Sequence, residues 1–123
     1  MVLYVKVIKY FWITFNFNIC YREDINYKVN DASDITFEIY DKSDNSLVGT
    51  YTSDSKGFFS VTLSTGKYLM RQITDVEGYY FSTDVNLEVK PDVDNQFYHI
   101  YLVRHYNKFK INRCEILFQL KIK

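Results

Sequence analysis

The sequence predicts an all-β protein built as a seven-stranded antiparallel β-sandwich. Three observations predict it. Twelve Tyr, ten Phe, eleven Val, eleven Ile and eight Thr stand against one alanine, Ala32, a composition that suits pleated, half-buried surfaces and not helices. Apolar residues alternate with polar ones over short segments, the period of a strand with one buried face. Clusters of Asp, Asn, Ser and Gly separate those segments at short intervals, and no stretch of ten or more residues carries a helical stripe.

The chain has 123 residues and a formal net charge of zero. The zero divides unevenly. Residues 1–21 carry +2, residues 22–103 carry −7 and residues 104–123 carry +5. This suggests a basic apolar N-terminal extension over 1–21, one sandwich domain over 22–104 and a basic C-terminal extension over 105–123. With 47% hydrophobic and 19% aromatic residues the chain is not intrinsically disordered. Cys20 and Cys114, one in each basic end, form neither a disulfide framework nor a metal cluster. Two free thiols are preferred to a pair.

No uncharged apolar run reaches the length of a membrane span. Lys6 and Lys9 before the apolar stretch Tyr10 to Cys20 give the N-terminus a weak signal-like look, but Asn16 and Asn18 interrupt it and no small-residue cleavage site follows. The alternative is a remnant strand. Leu3, Val5, Val7, Phe11, Ile13, Phe15, Phe17 and Ile19 all share one parity, and that reading is preferred.

The elements of the middle segment follow in order. Ile25 to Val29 is the expected first strand. Ile35, Phe37 and Ile39 alternate with Thr36, Glu38 and Tyr40 in the second. Lys42 to Ser46 has turn chemistry, and Leu47 to Thr52 is the third strand. Ser53 to Gly57 turns the chain again. There Asp54 is expected to bond the backbone two residues on, and Gly57 to take a positive φ. Phe59, Val61 and Leu63 mark the fourth strand, and Ser64-Thr65-Gly66 the next turn. Tyr68, Met70 and Gln72 share a face of the fifth strand, with Tyr68 expected to pack its ring inward and hold its hydroxyl near water. Gly78 and Tyr79 close the turn before Val85, Leu87 and Val89. Pro91 to Asn95 is a loop, with proline where no ladder donor is needed, and Phe97 to Val103 is the last strand. Ile116, Phe118, Leu120 and Ile122 give the C-terminal extension a weak strand pattern.

In this order, FEIYD (Phe37 to Asp41), TSDSKGFF (Thr52 to Phe59), LSTGKYLMRQ (Leu63 to Gln72) and GYY (Gly78 to Tyr80) resemble the prealbumin-like fold domains of Gram-positive surface proteins. These are the B-type repeats of collagen-binding adhesins of the Cna kind and the SpaA-like pilin modules. The resemblance covers Ile35 to Val103 and implies a prealbumin-like, immunoglobulin-like sandwich with Asp54, Gly57, Gly66, Tyr68, Gly78 and Tyr79 as its structural motif residues. The basic ends have no counterpart in it.

The resemblance also implies a chemistry to look for. Many members form an intramolecular Lys–Asn isopeptide bond, which needs an unprotonated lysine and a buried carboxyl that relays the proton. Lys28 is the matching lysine, Gln72 stands where the acid belongs, and Asn107 lies beyond the place expected for the asparagine. Glutamine does not relay a proton as a carboxylic acid does, so these are degenerate candidates and no bond is expected.

No catalytic motif is present. His99 and His105, with Asp84 or Glu88, are a weak metal candidate, read as surface residues, and no metal or cofactor is expected. The turn carboxylates are read as caps, because DKSDN lacks the glycine and distal Glu of a calcium loop. The basic ends are too modest for nucleic acid beside an acidic domain. Tyr79, Tyr80 and Tyr101 are candidate binding residues on an aromatic platform for a sugar or a partner.

The function expected is therefore a non-catalytic structural or adhesive module, a spacer or ligand-presenting unit of a bacterial cell-surface or pilus-type protein. Its expected partners are neighbouring β-sandwich domains and a host-matrix or glycan ligand. An extracellular, cell-wall location is implied by the resemblance alone, because neither a sorting motif nor an anchor is recognised. The alternative is a carbohydrate-binding accessory sandwich.

Overall fold

The computed structural model describes residues 11–22 and 29–105. These residues form eight strands and no helix: β1 (Trp12–Arg22), β2 (Val29–Asp31), β3 (Thr36–Asp41), β4 (Ser46–Thr52), β5 (Phe58–Ser64), β6 (Gly66–Gln72), β7 (Val85–Val89) and β8 (Gln96–Val103). Two four-stranded sheets face each other. One has the order β4-β3-β6-β7, antiparallel throughout. The other is organised around β1, which pairs antiparallel with β5 over Trp12 to Asn18 and with β2 over Cys20 to Arg22. Along its other edge β1 pairs with β8, and this pair is parallel.

The all-β sandwich is as expected, with two refinements. There are eight strands where the sequence pattern suggests seven, and one of the ladders is parallel. The additional strand is β1. Its alternation places Ile13, Phe15, Phe17 and Ile19 in the core and Trp12, Thr14 and Asn16 on the outer face. The expected boundary between residues 21 and 22 falls inside this strand. Of the expected first strand, only Val29 is described; there it opens β2. The 105–123 extension is described only at His105, and Cys114 lies outside the described residues.

The core is where the two inward faces meet. Phe15, Phe17, Ile19, Ile35, Phe37, Ile39, Met70, Leu87, Val89 and Leu102 are fully buried, each contributing about 1.5–3 kcal/mol of transfer free energy. Phe59 stacks on Phe17 at 4.9 Å between ring centroids and tilts against Phe37 at 5.6 Å, joining the two sheets through aromatic contact.

The turns carry the chemistry that their residues suggest. Asp54 Oδ1 accepts from the N–H of Lys56 at 2.8 Å and of Phe58 at 3.0 Å. Gly57 has φ +84°. Asn45 takes a left-handed φ of 61°, which asparagine tolerates better than most residues. Tyr68 is buried, and its hydroxyl donates to the Ser64 carbonyl at 2.8 Å. Ser53, which no pattern singles out, is buried and clamps two loops. Its hydroxyl donates to the Ala32 carbonyl at 2.7 Å and accepts from the Ile35 N–H at 3.0 Å.

Candidate functional site

Gln72 ends β6 with its side chain pointing inward, 3% exposed. A buried amide needs partners for both its donor and its acceptor. Its Nε2 donates to the Thr74 carbonyl at 2.7 Å, and its Oε1 accepts from the Ser82 N–H at 2.7 Å. Thr74 is itself fixed, because its hydroxyl accepts from the Thr36 N–H at 2.8 Å. The amide thus ties both ends of the 73–84 loop to the sheet. Nothing in this arrangement moves a proton: the donor faces a carbonyl and the acceptor faces an N–H. Lys28 and Asn107, the other isopeptide candidates, lie outside the described residues.

The same loop presents the tyrosines. Tyr79 is half-buried, its ring 4.7 Å from that of Tyr21, with the Arg104 guanidinium 5.7 Å from its centroid. Arg104 Nη1 also donates to the Tyr79 hydroxyl at 3.4 Å. Burial pushes the Tyr21 hydroxyl pKa up, with Tyr79 and Asp34 adding to the shift. Tyr80 is 59% exposed and meets the His105 ring edge-on at 3.9 Å. Tyr101 belongs to a different row, on the outer face of the β1 sheet, stacked with His99 at 6.4 Å and with Arg22 5.7 Å from its centroid. Of the three candidate binding tyrosines, Tyr79 and Tyr80 therefore share the loop, and Tyr101 stands on the sheet.

The remaining candidates divide between turns and strands. Gly78 takes φ +88° at the loop, and Tyr79 bridges to Arg104. His99 lies exposed on β8, and His105 packs on Tyr80. Among the described residues no group of three or more His, Cys, Asp or Glu is placed to hold a metal ion, and no helix is long and apolar enough to cross a membrane. Cys20 is buried, and its thiol donates to Asn18 Oδ1 at 3.2 Å. Burial, with Asp31 nearby, raises its pKa, which makes it a poor nucleophile.

On the outer face of the other sheet, Tyr40, Lys42, Asn45, Leu69 and Arg71 line a shallow groove. Three of its polar side chains are engaged with neighbours: Arg71 with Asp84 at 2.9 Å, Lys42 with Asn86 at 2.9 Å, and Tyr40 with Glu38.

Comparison with known proteins agrees with this architecture. The solved shaft pilin SpaA of Lactobacillus rhamnosus GG is 13% identical, with a TM-score of 0.62 over 77% of this chain and 50% of that one. The minor pilin GBS52 of Streptococcus agalactiae is 14% identical, with a TM-score of 0.62 over 76% of this chain and 45% of that one. The TIE protein of Bacillus anthracis is 18% identical, with a TM-score of 0.58 over 75% of this chain and 17% of that one. The chain spans half or less of the length of these three, and at such identities the likeness is one of fold. No curated protein matches the sequence. The family model of the SpaA prealbumin-like fold domain matches residues 25–100. The chain belongs to the SpaA prealbumin-like fold domain family.

Proposed function

We propose that this chain is a non-catalytic sandwich module of a cell-surface or pilus-type protein, exposed outside the cell as a spacer or ligand-presenting unit beside other β-sandwich domains. The observation that carries the non-catalytic part is Gln72. At the position where the family resemblance calls for a proton-relaying acid, a buried amide is held by Thr74 and Ser82. The solved pilins that share the fold support the surface setting. Intact mass of the folded protein is expected to equal the sequence mass, and the loss of one ammonia would overturn the non-catalytic reading. Protease treatment of intact source cells should release peptides of this chain. Their absence, while lysed cells yield them, would overturn the location.

A second reading rests on exposure. Tyr80 and Phe81, 59% and 49% exposed side by side at the loop, offer ring faces to a sugar. Glycan binding that Tyr80→Ala abolishes would support a carbohydrate-binding module; an array with no signal removes that reading.

A further inference from the structure

Strand β8 has one edge on β1, in parallel register from Gln96 to Val103 without a break. Among the described residues no strand pairs with its other edge. The direction of its backbone groups follows from three hydrogen bonds at its end. The Arg104 N–H donates toward β1, to the Arg22 carbonyl at 3.4 Å. The Val103 carbonyl accepts from the Tyr80 N–H at 2.8 Å, and the His105 N–H donates to the Gly78 carbonyl at 2.7 Å. In an extended strand, the N–H and C=O of one residue point to one edge and those of the next to the other. Val103 and His105 therefore face away from β1. Counting back by twos, so do Tyr101, His99 and Phe97. Their N–H and C=O groups form an open ladder that ends at Val103, where the Gly78–Tyr80 segment begins.

Among the described residues this edge lacks the usual protection. Native edges are blunted by lysine, proline, bulges or shortness. The eight residues QFYHIYLV contain no proline and no Asp, Glu, Lys or Arg, and their register with β1 has no bulge. Phe97, His99 and Tyr101 stand in one exposed row on the outer face, with Phe97 to His99 at 4.8 Å and His99 to Tyr101 at 6.4 Å between ring centroids.

We propose that β8 pairs antiparallel with β8 of a second copy of this chain, about a two-fold axis at His99. A two-fold perpendicular to the sheet keeps outer faces outer, so only residues of the same parity stand opposite each other. Centred on His99, the axis sets Phe97 against Tyr101 of the copy and His99 against itself. Every open residue of both strands then lies in a hydrogen-bonded pair. The other centres fail. An axis at Ile100 sets Phe97 against Val103, whose carbonyl Tyr80 already holds. An axis at Tyr98 sets Tyr101 against Asn95, outside the strand. The uncharged strand sets no like charges face to face, and the Phe97–Tyr101 pairs add cross-strand aromatic contact on both sides of the axis. The joint is one strand deep, small beside the ~1,600 Å² of a standard interface, so a weak, reversible dimer is expected. This inference rests on the edge geometry and is independent of the surface-module reading.

Sedimentation equilibrium of the full chain from about 5 to about 300 μM, the range in which weak dimers form, should fit a monomer–dimer equilibrium. His99→Pro should abolish the dimer and leave the far-UV dichroism unchanged. The lost N–H faces the open edge, and Tyr98 before it is already extended, as proline requires. His99→Lys keeps the N–H but opposes two charges at the axis, and should weaken the dimer at least about tenfold. If the proline variant loses its strand signal, the lysine variant decides. A full chain that stays monomeric across the range overturns the proposal, as does a dimer indifferent to His99→Lys. A dimer that forms only after residues 106–123 are removed also overturns it, by assigning the edge to that segment.

Discussion

Gly57 meets Ile19 backbone to backbone. The Ile19 N–H donates to the Gly57 carbonyl at 2.6 Å, and a Cβ on Gly57 would lie 2.3 Å from the Ile19 carbonyl oxygen. The turn between β4 and β5 is thus docked on β1 with no room for a side chain. Gly78 is the internal control: its φ of +88° is close to the +84° of Gly57, yet a Cβ there meets nothing within 4 Å. Gly78→Ala should therefore cost only the left-handed backbone term, about 1–2 kcal/mol. Gly57→Ala should exceed it by about 2 kcal/mol or more, because the overlap is with backbone that does not rotate away. Urea unfolding of the two variants measures the difference, and equal losses would show that the turn shifts off β1 at no cost.

The position of β1 sets a second expectation. It pairs with β2, β5 and β8 and supplies Phe15, Phe17 and Ile19 to the core. We propose that the folding unit starts at or before Phe11, not at residue 22. A fragment of residues 22–105 should show no cooperative unfolding, and a fragment of residues 11–105 should unfold in one transition. Within the full chain, Phe17→Ala should cost about 3–5 kcal/mol, a large share of the 5–15 kcal/mol typical of a domain. A folded 22–105 fragment would place the boundary back at Arg22.

The strands β3 to β8 were legible because alternation is local. Ile35, Phe37 and Ile39 on one parity say which face is buried without reference to a partner. The Asp54–Gly57 turn was legible for the same reason, since its hydrogen bonds lie within four residues. The role of β1 was not. An apolar run after two lysines suits a signal-like segment as well as a strand, and only its pairing with β5 and β8, far along the chain, decides. The parallel β1–β8 ladder is likewise invisible to any local pattern. The Gln72 clamp was half legible: the substitution of an amide for an acid could be seen against the family, but its partners Thr74 and Ser82 sit in irregular backbone that no spacing describes. Tyr79 and Tyr80 are consecutive in the sequence and share the loop, while Tyr101, grouped with them only by residue type, stands on the sheet.

Gln72 gives a third test. Gln72→Leu leaves the Thr74 carbonyl and the Ser82 N–H without their partner, a cost of about 2–3 kcal/mol. Gln72→Glu keeps the acceptor for Ser82 but turns a carboxylate oxygen toward the Thr74 carbonyl in a buried site. Burial and that oxygen should raise the pKa of the new carboxyl above its unfolded value. A carboxyl with a raised folded pKa destabilises the protein above that pKa, and the penalty is relieved as pH falls through it. The Glu variant should therefore lie closest to the parent in stability under mildly acidic conditions and fall behind at neutral pH. Denaturant midpoints across pH measure this; a gap that does not narrow on acidification would mean that water reaches the site.

Asp54 shows the opposite sign. The Phe58 and Lys56 N–H groups hold its carboxyl below the usual carboxylate range, and the Ser46 side-chain and backbone bonds do the same for Asp44. A carboxylate whose folded pKa is depressed stabilises the protein above its unfolded pKa, near 3.8, and that contribution disappears as pH falls through the folded value. Asp54→Ala should thus be less stable than the parent at pH 7, and the gap should shrink through the acid limb. Asp54→Asn separates charge from geometry. Its side-chain oxygen still accepts from Lys56 and Phe58 but has no proton to gain, so its stability should show less acid dependence than the parent's. If the parent and Asp54→Asn lose stability in parallel on acidification, the acid limb belongs to other carboxylates, and the Asp54 turn contributes through its shape alone.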